Sequence, residues 1–152
     1  MDRGLLVIGF GSTLRRDDGV GPAVAGAVEE LGLAGVSTLC CTQLTPDLAD
    51  PLSRAGAAVF VDASVERAAR VRLRRLDPQG SGQVLGHAAD PRGLLGLALG
   101  VYGRAPEAWM LTIPVRDLGF GDQLSDTARL GLRKAVRAVR ALHRRLLSRG
   151  RP

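Results

Sequence analysis

Two adjacent acids, Asp17 and Asp18, stand inside the glycine-rich stretch GFGSTLRRDDGVG, residues 9–21. Glycine-rich turns that open a helix usually hold a phosphate, because free backbone N–H groups and the helix dipole attract anions. Here the acids supply that negative charge themselves; they repel a phosphate and attract a cation. A Walker A loop would need Lys and Ser or Thr after its glycines, and neither stands beside Gly19 or Gly21. A dinucleotide fingerprint would need a third glycine near Leu14 and an acid at the end of the next strand, where Cys40 and Cys41 stand instead. Gly9 and Gly11 alone make a weak GxG match.

Asp62 closes the apolar run AAVFV, and His87 lies in GHAADP, just ahead of a predicted helix. Asp18, Asp62 and His87 together offer two carboxylates and an imidazole from three loops. Such an O,O,N set suits a divalent metal with open coordination positions, and zinc or nickel suits the imidazole better than calcium. Two other schemes compete. Asp18 and Asp62 can share a proton and activate water if their carboxyl groups are very close. Ser12 or Ser64 can serve as a nucleophile with His87 and an Asp, but no GxSxG elbow occurs. His143 lies beside Arg144 and Arg145 in the last helix and reads as solvated or helix-capping.

The elements that must position these groups alternate. Leu5–Ile8 reads as a buried strand and residues 20–31 as a helix with Pro22 in its first turn. Residues 36–41 form the next strand, 47–54 a short helix, and 59–61 a buried strand ending at Asp62. Residues 70–76 alternate Arg with Val71 and Leu73, with Leu76 one step out of phase; this predicts an edge strand with one solvated face. Asp90 and Pro91 start a helix whose inward stripe is Leu94, Leu95, Ala98, Leu99 and Tyr102. Residues 108–113 form a strand stopped by Pro114, and Ser125 caps a last amphipathic helix. The order predicts a three-layer α/β/α sandwich in one domain, residues 1–152. Its twisted sheet has about five strands, mostly parallel, with one antiparallel edge strand. Ligands of such sheets lie beyond the carboxyl ends of the strands, which places the loop after Ile8, Asp62 and His87 near one crevice.

Composition narrows the partners. The chain is 45% hydrophobic, so disorder is not expected. Net charge is +6, with Lys134 the single lysine among 21 basic residues. The charges are scattered and no aromatic–basic ladder accompanies them, which argues against nucleic acid. No apolar run is long enough to span a bilayer, and the amino terminus lacks a secretory pattern; a cytoplasmic monomer is expected. The vicinal Cys40 and Cys41 form no CxxC motif and read as buried or half-buried thiols.

On these residues the sequence resembles the hydrogenase maturation endopeptidases, which process the large subunit of nickel–iron hydrogenases. The likeness covers nearly the whole chain. LLVIGFGSTLRRDDGVGPAVAGAV is similar to the family's apolar strand followed by GxGNxLxxD(D/E)GxG. AAVFVDA is similar to its strand ending in Asp-Ala. GHAADPRGLLGLALGVYGRAPEAWMLTIP matches its His, Leu-Tyr-Gly and Thr-Ile-Pro features, and GDQLSDTARLGLRKAVRAV its last loop and helix.

The resemblance implies removal of a carboxy-terminal extension from a nickel-loaded large-subunit precursor. It implies Asp18, Asp62 and His87 as metal contacts to nickel carried by the substrate, with zinc or another divalent cation able to take the site. Asp18 and Asp62 are the implied catalytic acids. Asp17 orients the loop, which Gly9, Gly11, Ser12, Gly19 and Gly21 support. The family is often classed as aspartic-type. Ser12 stands where it usually has Asn, with a shorter hydrogen-bonding reach. Arg15 and Arg16 are candidate contacts for the precursor tail. The alternative is a metal- or precursor-binding maturation factor of the same fold without hydrolysis.

Overall fold

Leu5–Ile8 and Ala57–Val61 are unbroken apolar runs because both faces of each strand are buried. The computed structural model describes residues 3–65, 70–78 and 90–150. In chain order these form β1 (Leu5–Phe10), a 3-10 turn (Arg16–Gly19), α1 (Val20–Glu30) and β2 (Val36–Cys41). A second 3-10 turn (Pro46–Leu48) then leads into α2 (Ala49–Arg54). They continue through β3 (Ala57–Ser64), β4 (Arg72–Leu76), α3 (Pro91–Tyr102), β5 (Glu107–Pro114) and α4 (Asp126–Arg149).

The five strands lie in the order β2-β1-β3-β5-β4. Pairing is parallel from β2 through β5, and β4 runs antiparallel on β5. Helices cover both faces. Val20, Val24 and Val28 of α1 join Ala135, Val139 and Leu142 of α4 against Val7, Val59 and Leu111. Leu52 of α2 and Leu94, Leu95 and Ala98 of α3 pack on Ile8 and Phe60 from the other side. The expected α/β/α layering with one antiparallel edge strand is therefore present.

Several details differ from the sequence reading. Asp62 does not end β3; Ala63 and Ser64 continue it, paired with Ile113 and Pro114. β4 has no wholly solvated face: Leu73 packs on the α1–α4 core and Leu76 is buried in the other, which is why Leu76 breaks the alternation. Arg75 lies over the Trp109 ring at 5.1 Å and pairs with Glu107. In α3 the buried positions are Gly93, Leu94, Leu95, Gly96 and Ala98, while Leu99 and Tyr102 are about half exposed. The buried stripe therefore includes Gly93 and Gly96 and is rotated away from Leu99 and Tyr102. Asp90 caps α3 by accepting from the Arg92 N–H at 2.8 Å. His143 is buried rather than solvated, its Nε2 bonding the Ala34 carbonyl at 2.9 Å. Cys40 is exposed because β2 is an edge strand, and both thiols are free. Among the described residues, no helix is long and apolar enough to cross a membrane.

Candidate active site

The carboxyl ends of β1 and β3 bring Asp18 and Asp62 to one edge of the sheet. The approach depends on small residues. A Cβ on Gly9 would strike the Gly21 carbonyl, and one on Gly21 would meet the Val61 and Phe10 carbonyl oxygens at 2.5 and 2.6 Å. Glycine at both positions lets the start of α1 lie directly on the ends of β1 and β3. Gly11 sits at φ +140°, where an L side chain is strained, and a Cβ there would strike the Asp18 carbonyl. The loop thus folds back so that the Ser12 N–H donates to Asp18 Oδ2 at 2.7 Å. The Ser12 hydroxyl serves its own turn, accepting from the Leu14 N–H at 3.3 Å. Gly19 lies against the Thr13 backbone, and the 3-10 turn bearing Asp18 packs on β3.

Asp62 is half-buried, with its Oδ1 accepting from the Ala63 N–H at 2.8 Å. Burial pushes its carboxyl up to about 6. The Ala63 N–H offsets part of that rise, and the negative charge of Asp18 adds to it. Asp62 therefore feels Asp18 and titrates near neutrality, where a carboxylate can take or give a proton. A cation held between the two acids would relieve both burial and repulsion.

Asp17 plays a different part from its neighbour. Its side chain is wholly buried. Oδ1 accepts from the Ser125 N–H at 2.7 Å; Oδ2 accepts from the Ser125 hydroxyl at 2.6 Å and from the Arg116 and Asp117 N–H groups at 3.0 Å each. Burial opposes its charge, but these bonds win and hold its carboxyl below the usual value. The same Ser125 hydroxyl accepts from the Ala128 N–H and caps α4. Asp17 thus ties the first loop to the β5–α4 connection.

Arg15 and Arg16 extend that tie. Arg15 Nε donates to the Leu118 carbonyl, while Arg16 Nη1 pairs with Asp117 at 2.8 Å and its Nε donates to the Phe120 carbonyl. Of these partners, Arg116 and Asp117 carry no sequence signal, and only the Ser125 cap signal points to that loop. His87 lies outside the described residues. Among the described residues, no group of three His, Cys, Asp or Glu side chains is arranged to hold a metal.

A five-stranded sheet of this order, flanked by helices on both faces, is shared with solved structures of hydrogenase maturation proteases. The particular structures it is similar to include HybD, a [NiFe] hydrogenase maturation protease from Thermococcus kodakarensis. The TM-score is 0.71 at 21% identity, covering 92% of this chain and 99% of that one. A hydrogenase 2 maturation peptidase from a Thaumarchaeota archaeon matches with TM-score 0.69 at 24% identity, over 92% and 98%. The maturating endopeptidase HybD of E. coli matches with TM-score 0.69 at 20% identity, over 93% of each chain. No protein-family model and no curated protein matches the chain.

Proposed function

We propose that this chain is an endopeptidase that removes the carboxy-terminal extension of a nickel-loaded nickel–iron hydrogenase large-subunit precursor. The observation that carries the reading is that the turn bearing Asp18 packs on β3, which bears Asp62, at the carboxyl edge of a sheet with the maturation-protease fold. Two oxygen donors on neighbouring segments suit a metal delivered by the substrate, whose own ligands would complete its coordination. His87 is the proposed third contact. The cation then acts as a recognition handle, and processing waits for metal insertion.

Asp62 is the preferred proton acceptor for the attacking water, because burial raises its carboxyl pKa to about 6 and so makes it a stronger base than an ordinary carboxylate. Asp18 is held in place by the Ser12 N–H and faces the cation. Asp17 stays ionised and structural. It keeps the loop aimed and takes no part in proton transfer. A metal held by Asp18, Asp62 and His87 would supply Lewis-acid polarisation of the scissile carbonyl.

Incubation with nickel-loaded precursor, followed by intact mass measurement, is expected to show loss of a carboxy-terminal peptide. A stable complex with unchanged precursor mass would instead favour the binding factor without hydrolysis.

A further inference from the structure

We infer that Leu14 and Phe120 form a preformed apolar docking wedge for the precursor segment that flanks the scissile bond. This rests on the peptidase reading and names where its substrate is gripped. Both side chains are bare: Leu14 is 72% exposed and Phe120 89%. Large apolar side chains carried in adjacent loops beside a reactive edge mark an interaction surface.

The pair is built rather than loose. The Gly121 N–H donates to the Leu14 carbonyl at 2.9 Å, and the Arg16 N–H donates to the Gly121 carbonyl at 2.9 Å. Arg16 Nε donates to the Phe120 carbonyl at 3.3 Å. Arg16 itself holds φ 43°, a left-handed backbone that persists only where its surroundings over-determine it. Asp17 locks the base of both loops from below. The bonds that fix residues 14 and 120 are accepted by their own backbone carbonyl oxygens, so neither side chain is needed to hold its own loop.

Between the same loops lies a hollow of about 320 Å³ whose lining includes Thr13, Pro22, Ala23 and Leu124 with Arg16 and Asp122 at its polar side. It is large enough for one apolar side chain. Among the described residues the Arg15 guanidinium bonds a carbonyl oxygen and pairs with no carboxylate, so its positive charge can attract an acidic neighbour of that side chain. Asp18 belongs to the same loop, through the Ser12 N–H and its own N–H bond to the Arg15 carbonyl. A polypeptide lying on the wedge therefore rests on the loop that carries Asp18. The occupant is an apolar stretch of extended or turning chain with an acidic residue beside it.

The test measures binding and cleavage of nickel-loaded precursor by the wild type, L14S, F120S and the double variant. V101S serves as control; Val101 is 63% exposed near the carboxyl end of α3, at the opposite edge of the sheet. Melting temperatures are expected to stay at the wild-type value. Kd and KM are expected to rise about tenfold for each single variant and more for the double, the range for truncating a central apolar contact. V101S keeps wild-type affinity. Kd within twofold of wild type for the double variant overturns the wedge. So does binding of anionic lipid vesicles that F120S abolishes while precursor affinity is unchanged. Wild-type binding without cleavage removes the peptidase reading and leaves the wedge to be judged on Kd; absence of wild-type binding removes both.

Discussion

Replacing Asp62 by Asn should stabilise the free protein at neutral pH. The folded carboxyl titrates at about 6 against an ordinary 3.8, because burial and the charge of Asp18 disfavour its ionised form. A group with a raised folded pKa contributes stability that is full below the unfolded value and lost as pH rises through the folded one. Wild-type protein therefore loses stability across pH 4 to 6. Asn cannot ionise, and its Oδ1 can still accept the Ala63 N–H. A shift of about two units corresponds to about 3 kcal/mol, and screening at a half-buried site trims this to about 2 kcal/mol. In a chain of this size that raises Tm by about 4–8 °C. Thermal melts of both proteins from pH 3.5 to 8.5 should coincide at the acid end, separate between pH 4 and 6, and stay apart above. A gap independent of pH, or a less stable D62N at pH 8, would refute the buried-carboxylate reasoning.

Further outcomes follow from the same geometry. D18N should lower the Asp62 pKa, read by carbon NMR titration of its carboxyl, because one source of repulsion is gone; an unchanged titration would mean the acids do not interact. D17A strands the Arg116, Asp117 and Ser125 N–H groups and should cost about 3–5 kcal/mol, seen in urea unfolding. Because its folded pKa is lowered, the Asp17 contribution is present above about pH 4 in wild type and lost on further acidification. G21A drives a methyl into the Val61 and Phe10 carbonyls and should destabilise by at least about 2 kcal/mol, whereas G26A meets open space in α1 and should stabilise by about 0.5–1 kcal/mol. Equal melting of the two glycine variants would contradict the close approach of α1 to the strand ends.

The strand and helix order was legible because buried parallel strands leave unbroken apolar runs, such as AAVFV, and because Asp90 and Ser125 announce their helices. Face assignments were less legible. Leu76 looked like a phase error until β4 was found to contribute to both cores. The α3 stripe is hidden in the sequence because Gly93 and Gly96 carry no apolar signal yet are buried. At the site, adjacency hid a division of labour. Nothing in the pair Asp17-Asp18 says which acid is buried and which is left near Asp62; that depends on Arg116, Asp117 and Ser125, about a hundred residues away in the chain. Arg15 and Arg16 read as candidate contacts for the precursor tail, and nothing in the sequence signals that their guanidinium groups also fasten the two loops. The exposure of Leu14 and Phe120 is equally invisible in sequence, since an apolar residue in a loop is as often tucked in as presented.

The most direct measurement compares nickel-loaded with nickel-free large-subunit precursor, each incubated with wild type, D18A, D62A and H87A and read by intact mass. Cleavage of the loaded precursor alone, weakened in each of the three variants, is the predicted result. Equal cleavage of both precursors, or wild-type rates in all three variants, would contradict recognition of substrate-borne nickel by these residues.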